Sequence, residues 1–237
     1  LRRPTAQVGD QPADGAASWF RHLGCALRFA HVGGTRYHLS VKLRQHVWIE
    51  AEVDTQGCAP FLTAIGPVGN GGCAHSTVKS SALAVSGSAF AHGKTFDLTR
   101  GVASFDYSNG LLARHTEWRW ASAHAPGLGF NLQQGYFGSH ENALWLDGVL
   151  IPLGAAQFDF DRTHPLHPWH IYTDDGLLDL WFHPEGARQA RKNLWVAASY
   201  YIQPIGCFKG TVRASVNGPV REVQDLLGVT EDHQSRW

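Results

Sequence analysis

The 237-residue chain is long enough for one large domain or two small ones around a sizeable core. Its charge is balanced, 20 Lys and Arg against 20 Asp and Glu at a charged fraction of 17%, which argues against a nucleic-acid partner, whose recognition needs a basic excess. No apolar run approaches the roughly 18 residues of a transmembrane helix, so no stable membrane insertion is expected, and the opening LRRPTAQVGDQPADGAA lacks a signal peptide's apolar centre.

Residues 1–18 read as an extended arm. Ala26 to His31 and Arg36 to Leu43 flank the Gly33-Gly34 pair and predict a hairpin; Val47 to Val53 alternates as a further strand. Ile65 to Gly72 is a Gly, Pro and Asn loop, without the Lys-Ser/Thr of a phosphate-binding loop. Val78 to Val85 and Ala89 to Leu98 continue the meander around a turn at Gly87. The PEGARQARKN segment, Pro184 to Asn193, predicts one or two helical turns with Arg188, Arg191 and Lys192 solvated. Leu194 to Gln203 is apolar on both faces and reads as a central strand, and Phe208 to Val216 alternates up to a turn at Asn217-Gly218. Glycine-bearing turns about every ten residues predict an antiparallel β-sandwich or barrel with few short helices. A division follows: residues 19–104 as one barrel-like unit, 105–237 as a second, richer in polar side chains.

Four cysteines (Cys25, Cys58, Cys73, Cys207) form no CxxC pair and read as buried free thiols of a reducing, cytoplasmic protein. Methionine is absent where average usage gives about five, so residues of the natural chain are expected to be missing here; an intact mass above 26.0 kDa would bear that out.

The stretch Thr116 to Gly148 concentrates tryptophans, amides, carboxylates and histidines among glycine turns. A packed core seldom needs that mixture, because each buried amide or carboxylate requires a partner, whereas a ligand pocket uses apolar walls with a few fixed polar groups. Alternation puts Trp118 and Trp120 on one face and Glu117 and Arg119 on the other. These indoles are equally readable as core and as pocket wall. Glu141, beside Asn142 and Trp145, is a candidate proton donor if apolar neighbours raise its pKa; it also suits a turn. Asn131, Gln133 and Asn142 are candidates to orient a substrate oxygen. Asp106 precedes a Ser-Asn-Gly turn, and Glu231 with His233 forms a carboxylate–imidazole pair if the tail is a strand. Trp169 joins the candidate ligand-lining set.

No cofactor motif is present: GxSxG, HExxH and dinucleotide fingerprints are all missing. His164, His167 and His170 are spaced for a helix that Pro165 and Pro168 forbid, so no metal site is expected.

Seven ordered segments carry a family resemblance: TEWRWASA, FNLQQG, ENALWLDG, HPWHI, DLWFHPEGAR, QPIGCFKG and GVTEDHQSRW. From about Lys79 onward the chain resembles the family catalogued as domain of unknown function 2804. The resemblance implies an architecture similar to the lipocalin-like group that includes carotenoid hydratases (hydroxyneurosporene synthase) and AttH-type proteins, a double β-barrel with apolar ligands bound in the barrels. Three functions are carried forward. The first is binding of a hydrophobic small molecule in a Trp-, Asn- and Glu-lined pocket of the second unit. The second is cofactor-free hydration, isomerisation or cyclisation of a polyene or terpenoid by Glu141. The third is a structural protein with filled barrels, which predicts no cavity and no perturbed carboxylate. Oligomeric state is left open.

Overall fold

Runs of β-branched and aromatic residues broken by tight turns pair most cheaply with their sequence neighbours, since short loops cost little closure entropy. The computed structural model, which describes residues 5–9, 15–67 and 74–236, follows that rule through almost all of its nineteen strands. The chain divides into two compact units, one of Leu1–Cys58 with Ala82–Ser104, the other of Ala59–Ser81 with Phe105–Trp237.

The first unit holds β1 (Thr5–Gln7), β2 (Ala17–His22), β3 (Cys25–Gly33), β4 (Arg36–Leu43) and β5 (Val47–Asp54). The chain then supplies β6 (Leu62–Gly66) and β7 (Ala74–Lys79) to the second unit and returns with β8 (Ala84–Ala91) and β9 (Lys94–Asp97). The first unit's antiparallel sheet runs β1-β2-β3-β4-β5-β8-β9. Among the described residues the one helical piece is the 3-10 turn Leu98–Arg100, whose amide at Thr99 is capped by Asp97.

In the second unit β10 (Asp106–Leu111) pairs with β7 to give a three-stranded sheet, β10-β7-β6. The remaining strands are β11 (His115–Ala125), β12 (Leu128–Gly135), β13 (Ala143–Leu146), β14 (Val149–Pro152), β15 (Ala156–Asp159), β16 (Trp169–Thr173), β17 (Leu178–Asn193), β18 (Ala198–Val212) and β19 (Arg221–Arg236). They form one antiparallel sheet, β14-β13-β12-β11-β19-β18-β17-β16-β15. It curls until β15 returns beside β12, where Gln134 Nε2 donates to Gln157 Oε1 at 3.1 Å. The β13–β14 hairpin turns on Asp147-Gly148, both at positive φ, as a two-residue turn of the twisted kind requires.

Residues on the inner face of the curl, among them Ala121, Phe130, Leu132, Trp169, Phe182 and Phe208, fuse into one buried apolar cluster. The barrel interior is therefore packed with side chains. The all-β antiparallel expectation holds.

Several element readings change. Val78 to Val85 is not one strand: β7 ends at Lys79, Ala82 sits at φ 51°, and β8 begins at Ala84 in the other unit. Segment 59–81 accordingly joins the second unit rather than the first. Gly87 is not a turn but lies within β8, where a Cβ would sit 2.1 Å from the Glu50 carbonyl oxygen. Pro184 to Asn193 is strand, not helix. Its Pro-Glu-Gly opening is a register shift against β18, which is where a strand tolerates proline. Leu194 to Val196 forms the β17–β18 turn, not part of a central strand. The arm contributes β1, paired with β2. Within Ile65 to Gly72, Ile65 and Gly66 end β6, and residues 68–73 lie outside the described residues, as does Cys73. Cys25, Cys58 and Cys207 are free thiols, half-buried rather than buried. No helix among the described residues is long and apolar enough to cross a membrane.

Candidate functional site

Because odd-numbered residues of β11 and even-numbered residues of β12 fill the barrel, Trp118, Trp120, Asn131 and Gln133 project from the opposite, outer face. There β7 and β10 cover them, contributing Lys79, Asp106 and Ser108, while β18 and β19 contribute Gln203 and Glu231. These residues, with Tyr136 and Glu141, line a cavity of about 360 Å³ within the second unit.

At its buried end Glu141 is only 3% exposed and Lys79 5%. The Lys79 ammonium lies 2.7 Å from Asp106 Oδ2 and 3.3 Å from Glu141 Oε2. Burial pushes the Glu141 carboxyl above its ordinary range; Lys79 opposes that shift and the Asp106 charge adds to it. The Tyr136 hydroxyl is pushed well up by burial and by the Glu141, Asp106 and Glu231 charges.

Across the cavity Glu231 accepts hydrogen bonds from Trp118 Nε1 (2.8 Å) and Gln203 Nε2 (3.1 Å). Trp120 Nε1 donates to Asn131 Oδ1 (2.8 Å), and Asn131 Nδ2 donates to the Glu141 carbonyl (2.9 Å), so one amide fixes both an indole and the acid's backbone. Gln133 differs from all of these. It is 2% exposed, and neither its amide oxygen nor its amide nitrogen has a partner. A buried amide so placed carries a desolvation cost of about 1–3 kcal/mol that a ligand's polar group would offset.

The expected site residues thus separate. Trp118, Trp120, Gln133, Glu141, Glu231 and Asp106 converge on the cavity. Asn131 and Asn142 stand behind it: Asn142 Oδ1 accepts from Gln133 N (2.6 Å), and its Nδ2 donates to the Gly154 carbonyl (2.8 Å). His233 lies over the Trp118 ring at 4.2 Å between centroids, with Nδ1 3.5 Å from Glu231 and Nε2 2.9 Å from the hydroxyls of Ser199 and Ser235. It does not line the cavity and adjoins it through Trp118 and Glu231. Trp145 donates to the Pro60 carbonyl, away from the lining. Trp169 is on the other face of the sheet, stacked on Phe160 in the barrel core.

Sequence reasoning missed Lys79, Ser108, Tyr136 and Gln203. Lys79 carried little signal: it alternates on one face of β7 with His75 and Thr77, a polar set that reads as solvated, yet all three are buried.

Among the described residues, Asp161, His164 and His167 offer metal-ligand atoms within 4.8 Å of one another, all exposed. Successive turns, His164 N to Asp161 O and His167 N to His164 O, bring these positions together; Pro165 occupies the second place of a turn, which it favours. Asp161 is thus the carboxylate that the sequence reading lacked beside these histidines, while His170 pairs instead with Asp179.

The chain matches, over residues 3–237, the family described as Domain of unknown function (DUF2804), and it belongs to that family. The match extends well before Lys79, where the sequence resemblance began. No curated protein matches it in sequence. In structure it is similar to kievitone hydratase from Nectria haematococca, at 9% identity and a TM-score of 0.50, over 99% of this chain and 87% of that one. That likeness is one of fold, antiparallel and lipocalin-like.

Proposed function

We propose that this member of the family takes a small molecule with an apolar body into the outer-face cavity and protonates it there without a cofactor. The reaction class is addition of water to, or migration of, a carbon–carbon double bond. One observation carries the reading: a buried carboxyl pushed toward its protonated form shares a cavity with a buried, unpartnered amide.

The chemistry assigns each group a task. Gln133 holds a polar atom of the ligand and orients the alkene. Glu141 delivers its proton to one alkene carbon: the π bond breaks, a C–H bond forms, and the adjacent carbon becomes cationic. The π-faces of Trp118 and Trp120 stabilise that cation by about 2 kcal/mol when desolvated. Water then attacks the cation, and Glu231, oriented by Trp118 and Gln203, takes the proton that water releases. Lys79 stabilises the carboxylate that Glu141 becomes once its proton is given, since its charge opposes the burial shift. Fold kinship with a protein named as a hydratase supports the class and says nothing of the substrate.

The test is turnover of isoprenoid alkenes, with kievitone as a first compound, in ¹⁸O-labelled water with product analysed by mass spectrometry. A general acid contributes about 10²–10⁴ in rate, so Glu141→Gln is expected to lose that factor while still binding ligand. Activity falls as pH rises through the elevated Glu141 pKa. A Glu141→Gln variant that turns over normally rejects the assignment.

A further inference from the structure

The β17–β18 hairpin ends in three apolar residues that nothing covers. Leu194, Trp195 and Val196 are 69%, 94% and 72% exposed, and Trp195 sits at φ 64°, a conformation that bulky side chains rarely adopt. All three tip amides are nonetheless satisfied. Leu194 N donates to the Ala197 carbonyl, Val196 N to the Leu194 carbonyl, and Trp195 N to Asn193 Oδ1. The Trp195 carbonyl accepts from Arg236 Nη2 at 2.8 Å. An apolar tip whose amides are satisfied internally can leave water at a reduced hydrogen-bond penalty.

Beside the tip, in the same unit, lies a cavity of about 320 Å³ lined by Arg191, Lys192, Arg236 and His115 together with Ser199 and Tyr200. None of its lining residues is acidic, in a chain whose total charge is balanced. The Nε of Arg236 is buried there and has no partner. Along the outer part of β17, Arg188 pairs with β18 on one side, while β16 pairs the other side only as far as Phe182, so among the described residues that side is an open edge. Charges on an open edge discourage aggregation, which accounts for the edge but not for an exposed Leu-Trp-Val tip above it.

We propose that this hairpin docks the protein on an anionic lipid bilayer. The Leu194-Trp195-Val196 tip enters the boundary between headgroups and acyl chains, and the Arg191, Lys192 and Arg236 cavity receives a lipid phosphate. Indole rings favour that boundary, and each nearby Lys or Arg adds attraction to an anionic surface.

The full chain is sedimented with vesicles of phosphatidylcholine containing about one-third phosphatidylglycerol, and with phosphatidylcholine alone. Binding is expected on the anionic vesicles only, weakening as salt rises. Trp195→Ser lowers partition by about tenfold, and Arg191→Gln and Lys192→Gln by about fivefold each. The tip and the edge are exposed, so the fold survives these changes, as far-ultraviolet circular dichroism would verify. Failure to sediment with anionic vesicles overturns the proposal, as does equal binding to neutral ones or an unchanged Trp195→Ser variant. Binding of glycerol phosphate without binding of vesicles overturns it too, since that leaves a free phosphate as the ligand.

Discussion

Replacing Lys79 by Met tests how the cavity holds its charges. Methionine nearly conserves the volume of the lysine stem, so the change removes the ammonium and little packing. Asp106, whose side chain is 44% exposed, then turns to solvent, whereas Glu141, with a side chain 4% exposed, has no such recourse. Stranding a buried charge costs about 3–5 kcal/mol, but a carboxyl can escape by taking a proton, at about 1.4 kcal/mol per pH unit above its unfolded pKa. The sign follows from the direction of the shift. Glu141's folded pKa lies above its unfolded value of 4.5, so its contribution is complete below that value and is lost as pH rises through the folded pKa. Without Lys79 the folded pKa climbs further, and the loss grows with pH. Lys79→Met is therefore expected to cost under about 1 kcal/mol at pH 5 and about 3–4 kcal/mol at pH 8. Adding Glu141→Gln recovers most of that loss. Urea unfolding followed by tryptophan fluorescence reads it out, because seven of the nine tryptophans belong to the second unit. An equal loss at both pH values, or a double variant as unstable as the single one, would refute the reasoning.

His124 predicts the opposite pH slope. Burial pulls its pKa down to about 4 from 6.5, with its ring nitrogens held by Ser81 (2.9 Å) and Ser122 (2.8 Å). The unfolded chain then takes a proton that the folded one refuses, so stability falls as pH drops from 6.5 toward 4, by about 3 kcal/mol in total. His124→Asn is expected to remove that slope from the urea midpoints measured between these limits. Gln133→Met is expected to raise stability by about 1–2 kcal/mol, since it deletes two unpartnered polar atoms, while weakening the uptake of whatever ligand the wild-type cavity binds. Urea midpoints and a ligand titration on the same preparation measure both, and a less stable variant counts against the reading of Gln133 as an amide awaiting a partner.

The sheet was legible where alternation is strict. Val47 to Val53 and the Gly33-Gly34 hairpin could be read from periodicity, and so could the facing of Trp118 and Trp120, because a period of two fixes which side chains share a face. What periodicity cannot fix is which face meets the core. The indoles face away from the barrel interior, and the small Ala121 and Ala123 face into it, an inversion of what residue size alone suggests. The reason is non-local: β7 and β10 cover the outer face, and their pairing across an intervening excursion into the first unit leaves no short-range pattern. Pro184 to Asn193 failed for a different cause, since a proline and a glycine at a bulge look like the end of a strand. Lys79 went unnoticed because a lone lysine is ordinarily solvated, and only its two carboxylate neighbours make its burial tolerable.

That covering sheet also bears on how the proposed chemistry, which needs both dryness and water, would be housed outside the barrel's apolar cluster. Were the ligand inside the barrel, the site would have to be excavated from the cluster around Phe130, Phe182 and Phe208, at the expense of the core that stabilises the unit. On the outer face the barrel stays packed and acts as a rigid floor, and the polar groups are supplied from above it. The resulting gradient is directional. Asp106 is solvated, Lys79 bridges inward at 2.7 Å and 3.3 Å, and Glu141 lies at the dry end. In the proposed reaction the proton acid belongs at the dry end, where its neutral form is favoured. Substituting Asp106 alters the solvated end and Lys79 but leaves the burial of Glu141 in place, so the acid's elevated pKa depends on the depth of the site more than on its solvated end.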